Sequence, residues 1–92
     1  MLKEYFNPNL SGENQTRISD FLFRFSSWTV FPSYGQARAY RATQDYKHED
    51  GRYSFSIVKY DGFYYLMDRD QRHRFMLLLH ASEREDAKKN KE

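Results

Sequence analysis

The spacing of apolar and polar positions changes along the chain, and each change predicts an element. From Asn14 onward, Ile18, Phe21, Leu22 and Phe25 recur at i, i+3, i+4 and i+7, the repeat of one helical face. Asn14 is suited to cap such a helix, because its side chain can accept from an orphan backbone amide. Phe21, Phe23 and Phe25 also alternate with Leu22, Arg24 and Ser26, so a strand over residues 15–28 is the competing reading. Pro32 closes either element. Residues 36–47 (QARAYRATQDYK) likewise fit two forms. Ala37, Ala39 and Ala42 behind a capping Ser33 suit a helix, while the alternation of Ala42, Gln44 and Tyr46 favours a strand in the second half.

Two Asp-Gly pairs follow, Asp50-Gly51 and Asp61-Gly62, each between alternating runs. A two-residue type I′ turn needs positive φ at both central positions, which makes this pair a hairpin signal. Around Asp50-Gly51 the turn sets Glu49 opposite Arg52 and Tyr46 opposite Phe55. Around Asp61-Gly62 it sets Tyr60 opposite Phe63, Val58 opposite Tyr65 and Ile57 opposite Leu66. The result is a three-stranded meander. One face carries Tyr46, Tyr53, Phe55, Ile57, Tyr64 and Leu66 and reads as the better core. The other carries Val58, Tyr60, Phe63, Tyr65 and Met67, but also Ser54 and Ser56, and is apolar only near the second turn.

After Asp68 the charged stretch RDQRHR leads into RFMLLLHA, which fits a fourth strand buried on both sides or the start of a helix. In the ending SEREDAKKNKE eight of eleven residues are charged. Ser82 and Glu85 have the spacing of a capping box, so residues 82–92 read as a frayed helix or a solvated tail. The expected architecture is α+β: an N-terminal helix packed on a three- to four-stranded antiparallel β-meander within residues 1–81, then the polar C-terminal extension.

Composition narrows the function classes. Ninety-two residues suffice for a single small core, and an aromatic share of 18% means that Phe and Tyr must build much of it. The net charge of +2 sets up no strong field toward nucleic acid or acidic lipid. The absence of cysteine and of an apolar leader in MLKEYFNPNL favours a cytoplasmic, membrane-free protein. His48, His73 and His80 form no H-x-x-x-H pair, and Asp68 and Asp70 stand among Arg69, Arg72 and Arg74 as a neutralised turn, so no metal is expected. No glycine-rich phosphate loop or nucleophile motif is present, so neither a cofactor nor catalysis is expected.

Two short resemblances bear on the candidates. The stretch FLFRFS, with Arg24 inside it, resembles the strand of Src-homology-2-type domains whose arginine binds phosphotyrosine. Residues 53–87, read as hairpin, connection, apolar strand and charged ending, resemble the C-terminal sheet of RelE/ParE-type toxins, which cleave messenger RNA on the ribosome or inhibit gyrase. Where cleaving members carry basic residues on the strands, this chain has Ser54, Ser56 and Tyr64.

The expected function is binding without catalysis. Tyr, Phe, Met and Arg are enriched at protein interfaces, and Tyr60, Phe63, Tyr65 and Met67 gather at the turn end of one sheet face as a grip for a protein partner or a second copy. Small cysteine-free domains without motifs are frequent among inhibitors and adaptors of phages and other mobile elements. The alternative is a nucleic-acid-binding module or a toxin of the type named above, acting through Arg38, Arg41, Arg69, Arg72 and Arg74 beside base-stacking tyrosines. Nearby acids, Asp45, Glu49, Asp50, Asp68 and Asp70, interrupt those basic residues.

Overall fold

A computed structural model describes residues 2–26, 29–44 and 55–90. Helix α1 (Gly12–Ser26) leads into a short strand β1 (Val30–Phe31) and helix α2 (Tyr34–Gln44). Strands β2 (Ser56–Tyr60) and β3 (Phe63–Met67) form a hairpin, and helix α3 (Arg69–Asn90) follows. The sheet is antiparallel with β3 central, in the order β1-β3-β2. Helices α1 and α3 pack on one face and α2 on the other, so the fold is α+β in three layers.

The helix starts follow from local chemistry. Ser11, rather than Asn14, caps α1: its Oγ accepts from the Asn14 amide at 3.3 Å and its carbonyl from the Gln15 amide at 2.9 Å. Asn14 is free to turn inward, where it does other work. Ser33 caps α2 as the sequence suggests, accepting from the Gln36 amide at 3.2 Å. Asp68 and Gln71 start α3 with a reciprocal box. The Gln71 amide donates to Asp68 Oδ1 at 2.7 Å, and the Asp68 amide to Gln71 Oε1 at 3.0 Å.

The second hairpin takes the expected register, with Tyr60 paired to Phe63, Val58 to Tyr65 and Ile57 to Leu66. Asp61 (φ 51°) and Gly62 (φ 80°) both occupy the left-handed region, as a type I′ turn requires. Other expectations are corrected. Ala42–Gln44 belong to α2, not to a strand, because Ser33 starts a helix whose alanines favour continuation. The third strand of the sheet is β1, paired as Val30 to Tyr65 and Phe31 to Tyr64. Asp50-Gly51, Tyr46, Tyr53 and Ser54 lie outside the described residues.

The apolar run Phe75–Leu79 is helical, not a fourth strand. Phe75 and Leu79 are buried, whereas Leu77 is exposed, so the run was apolar on both sides without being buried on both. Ser82 sits mid-helix and fully buried rather than at a cap, because the box at Asp68 had already begun the helix. The charged ending thus continues α3 to Asn90, and Asp86 is buried along with Ser82. Among the described residues no helix is long and apolar enough to cross a membrane.

Two cores result. The larger one joins Val58, Tyr60 and Met67 to Ile18 and Leu22 of α1 and to Phe75 and Leu79 of α3. Phe75 is its hub, edge-on to Tyr5 at 6.0 Å and to Tyr60 at 5.9 Å between ring centroids. The smaller core joins Ile57 and Leu66 to Ala37 of α2, with Phe31, Tyr40 and Tyr64 partly buried around it. The face read as the better core is therefore the lesser one. Two helices and the segment Tyr5–Phe6 cover the opposite face, and those covering elements set the outcome.

Candidate functional site

At the turn end of the hairpin, α1 and the sheet diverge and leave a groove of about 570 Å³. From α1, Asp20, Leu22 and Phe23 line one wall. Val30, Phe63 and Tyr65 line the other, with Tyr60 and Asp61 at the turn. Phe23 is 76% exposed and Phe63 48% exposed, so two phenylalanines on different elements face water at the same groove. The helix places Phe23 beside Leu22, which turns into the core, and this neighbour fixes the outward angle of Phe23.

The turn that presents Asp61 and Phe63 is fixed from behind. Glu4 Oε1 accepts from the Asp61 amide at 2.9 Å and from the Phe6 amide at 3.0 Å. Glu4 also bridges to Lys59 of β2, and the Tyr5 amide donates to the Lys59 carbonyl at 3.1 Å. Burial works to raise the Glu4 pKa, but the backbone bonds from Phe6, Asp61 and Gly62, with the Lys59 charge, hold it below the usual 4.5. Tyr60 is pushed up to about 12, first by burial and then by the charges of Asp61, Tyr65 and Glu4. Its hydroxyl is buried without a hydrogen-bond partner. Burial, with Asp61 nearby, also raises Tyr65.

The four expected grip residues separate in space. Phe63 is exposed and Tyr65 half-buried on the groove wall, but Tyr60 and Met67 are core residues. As a four-residue surface the patch is corrected, because Phe6 and Phe75 pack edge-on with Tyr60, and Met67 is fully enclosed in the α1–α3 core. Sequence reading missed Phe23 and Asp20. The i, i+3, i+4 stripe of α1 marks its inward face, and nothing in it distinguishes an outward Phe from an ordinary flank.

The arginines divide between layers. Arg38 and Arg41 ride on α2, and Arg69, Arg72 and Arg74 on the first turns of α3, on opposite faces of the sheet. Arg74 is paired with Asp70 at 3.1 Å. Arg24 lies on a helix and is exposed, so the strand that carried the Src-homology-2 resemblance is absent there. The helical Phe75–Leu79 likewise removes the apolar strand of the toxin resemblance.

On the far side of the sheet, Leu2, Tyr34, Lys59 and Tyr64 line a smaller cavity of about 370 Å³, with Lys59 over the Tyr64 ring. Lys59 Nζ already lies 4.0 Å from Glu4. Among the described residues no group of three or more His, Cys, Asp or Glu is placed to hold a metal ion. The groove suits enclosure of an apolar side chain next to carboxylates. Comparison with family models, with curated proteins and with solved structures found no match to this chain.

Proposed function

We propose that the protein is a non-catalytic binding module, an inhibitor or adaptor, that holds another protein in the groove between α1 and the β2–β3 turn. The observation that carries this reading is the pair of exposed phenylalanines, Phe23 and Phe63, on the two walls of one groove. Exposed apolar surface gathered in a concavity is unfavourable in water and marks an interaction site, whereas single exposed apolar residues are ordinary. A pocketed aromatic anchor is also where binding energy concentrates in protein interfaces. The turn is held by Glu4 and closed by a type I′ pair, so the groove wall is organised before a partner arrives, which lowers the ordering cost of association.

A photo-activatable cross-linker placed at position 63, compared between the parent chain and the same chain with Phe23→Ala, tests the reading. We expect a discrete cross-linked protein partner whose yield falls by more than about tenfold with the alanine, since truncating an anchor costs about 2 kcal/mol of binding. A partner captured equally well by the alanine variant overturns the reading.

A further inference from the structure

The groove is acidic as well as apolar. Asp20 on α1 and Asp61 on the turn lie on its two walls, both exposed, and neither has an ion-pair partner among the described residues. Of the nearby cations, Lys59 is engaged with Glu4 and Arg17 with Glu13 and Glu85, while Arg24, exposed one turn along α1 from Asp20, forms no ion pair with it. No Lys, Arg or His is among the described residues that line the groove. A ligand that buries Phe23 and Phe63 also draws these two carboxylates out of bulk water. That step is costly unless the ligand brings positive charge to them.

Resting on the reading of the groove as a protein-binding site, we propose that its occupant is a basic segment of a partner protein: one large apolar side chain flanked by Lys or Arg. The apolar side chain enters between Phe23, Val30 and Phe63, and the flanking cations meet Asp20 and Asp61. The pairing sets specificity and encounter rate, because complementary charge steers association and like charge rejects wrong partners. A phosphate backbone is repelled by the same two carboxylates, so this groove selects against nucleic acid.

The test uses the isotope-labelled full chain and three synthetic peptides, followed by amide NMR. One peptide carries a central tryptophan flanked by arginines, the second has glutamates in place of the arginines, and the third has alanine in place of the tryptophan. A polyphosphate chain serves as the phosphate probe. The arginine–tryptophan peptide is expected to shift the amides of Asp20, Phe23, Asp61 and Phe63, and to bind more weakly as salt rises. The other two peptides are expected to leave those amides in place. D20N/D61N, which keeps side-chain shape and an αL-tolerant residue in the turn, should weaken that peptide by about fivefold and flatten its salt dependence.

Equal binding of the glutamate peptide, or no change in D20N/D61N, overturns the charge assignment while shifts at Phe23 and Phe63 keep the groove. A cross-linked partner indifferent to Phe23→Ala overturns the groove reading itself. Shifts at the groove from polyphosphate alone overturn both.

Discussion

The two faces of the sheet are built from the same two strands, yet they are closed in different ways. Against Val58, Tyr60 and Met67 lie two helices and the Tyr5–Phe6 segment, with Phe75 edge-on to two aromatic rings. Against Ile57 and Leu66 lies one helix whose buried contribution is Ala37, and Phe31, Tyr40 and Tyr64 remain half in water. Close packing on the first face concentrates dispersion contacts around a single ring. The second face relies on a small side chain that lets α2 approach closely. Alternating strands offer apolar residues to both sides, and the helices that follow and precede them decide which side becomes the main core.

Removing the hub should have the largest effect. Phe75→Ala is expected to cost about 3–5 kcal/mol, measured by urea unfolding, because the cavity opens among rings that have no room to collapse. Leu66→Ala on the thinner face should cost about 2 kcal/mol, the low end for its type, since half-exposed tyrosines can settle into the gap. Equal losses would show that the two faces are equivalent and break the comparison.

A second measurement asks whether the thick face depends on its polar brace. Asp86 Oδ1 accepts from Asn14 Nδ2 at 2.8 Å and its Oδ2 from the Ser11 amide at 2.6 Å, tying the start of α1 to the later turns of α3. Asn14 is fully buried, so Asp86→Ala leaves its Nδ2 only the longer 3.4 Å bond to the Ser82 carbonyl and removes a negative charge from a helix N-terminus. The expected loss is about 2–3 kcal/mol. Stability within a few tenths of the parent would mean that the charged half of α3 contributes nothing to the core.

Gly62→Val affects both faces at once, because the turn sets the register of every pair in the hairpin. A β-branched residue at φ 80° is strained, and we expect a loss of more than about 1 kcal/mol. No loss would mean that the turn relaxes to another type without disturbing the faces.

The smallest effect sharpens the thick face chemically. Tyr60 has a folded-state pKa raised from 10 to about 12, so its contribution is fully present below pH 10 and is lost as pH rises toward 12. Tyr65 is shifted in the same direction and adds to that slope. Tyr60→Phe removes a buried hydroxyl that has no partner, so stability at pH 7 should stay level or rise slightly. Thermal melts between pH 9 and pH 11 should then show a shallower alkaline loss than the parent chain. An unchanged slope would place the ionising group elsewhere.

The hairpin and the inward stripe of α1 were legible because each depends on local spacing: Asp61-Gly62 for the turn, and Ile18, Phe21 and Leu22 for the helix. Phe25 continues that stripe in sequence, but its side chain lies outside the described residues. The choice of main face was not legible. It depends on Phe75 and on Tyr5–Phe6, whose strand-like or irregular patterns hide what they cover. Exposed Leu77 masks the helical period of α3, although Asp68 and Gln71 already carry its start signal. Of the candidate site, Phe63 and Tyr65 could be found by hairpin register, but Phe23, Asp20 and Val30 could not. They reach the groove only through the angle between α1 and the sheet, which no short-range pattern encodes.

The bond from Glu4 to the Asp61 amide joins residues 57 apart in sequence, and this separation has a kinetic consequence. A two-residue hairpin closes on a microsecond scale, long before a contact that must first enclose most of the chain. We expect the Glu4 latch to form late in folding, on the native side of the barrier. Its loss in Glu4→Ala should therefore appear almost wholly as faster unfolding, with the refolding rate little changed. The lifetime of the turn in its presenting form is thereby set by a carboxylate far away in sequence, and it shortens in acid as the Glu4 contribution fades below about pH 4.5.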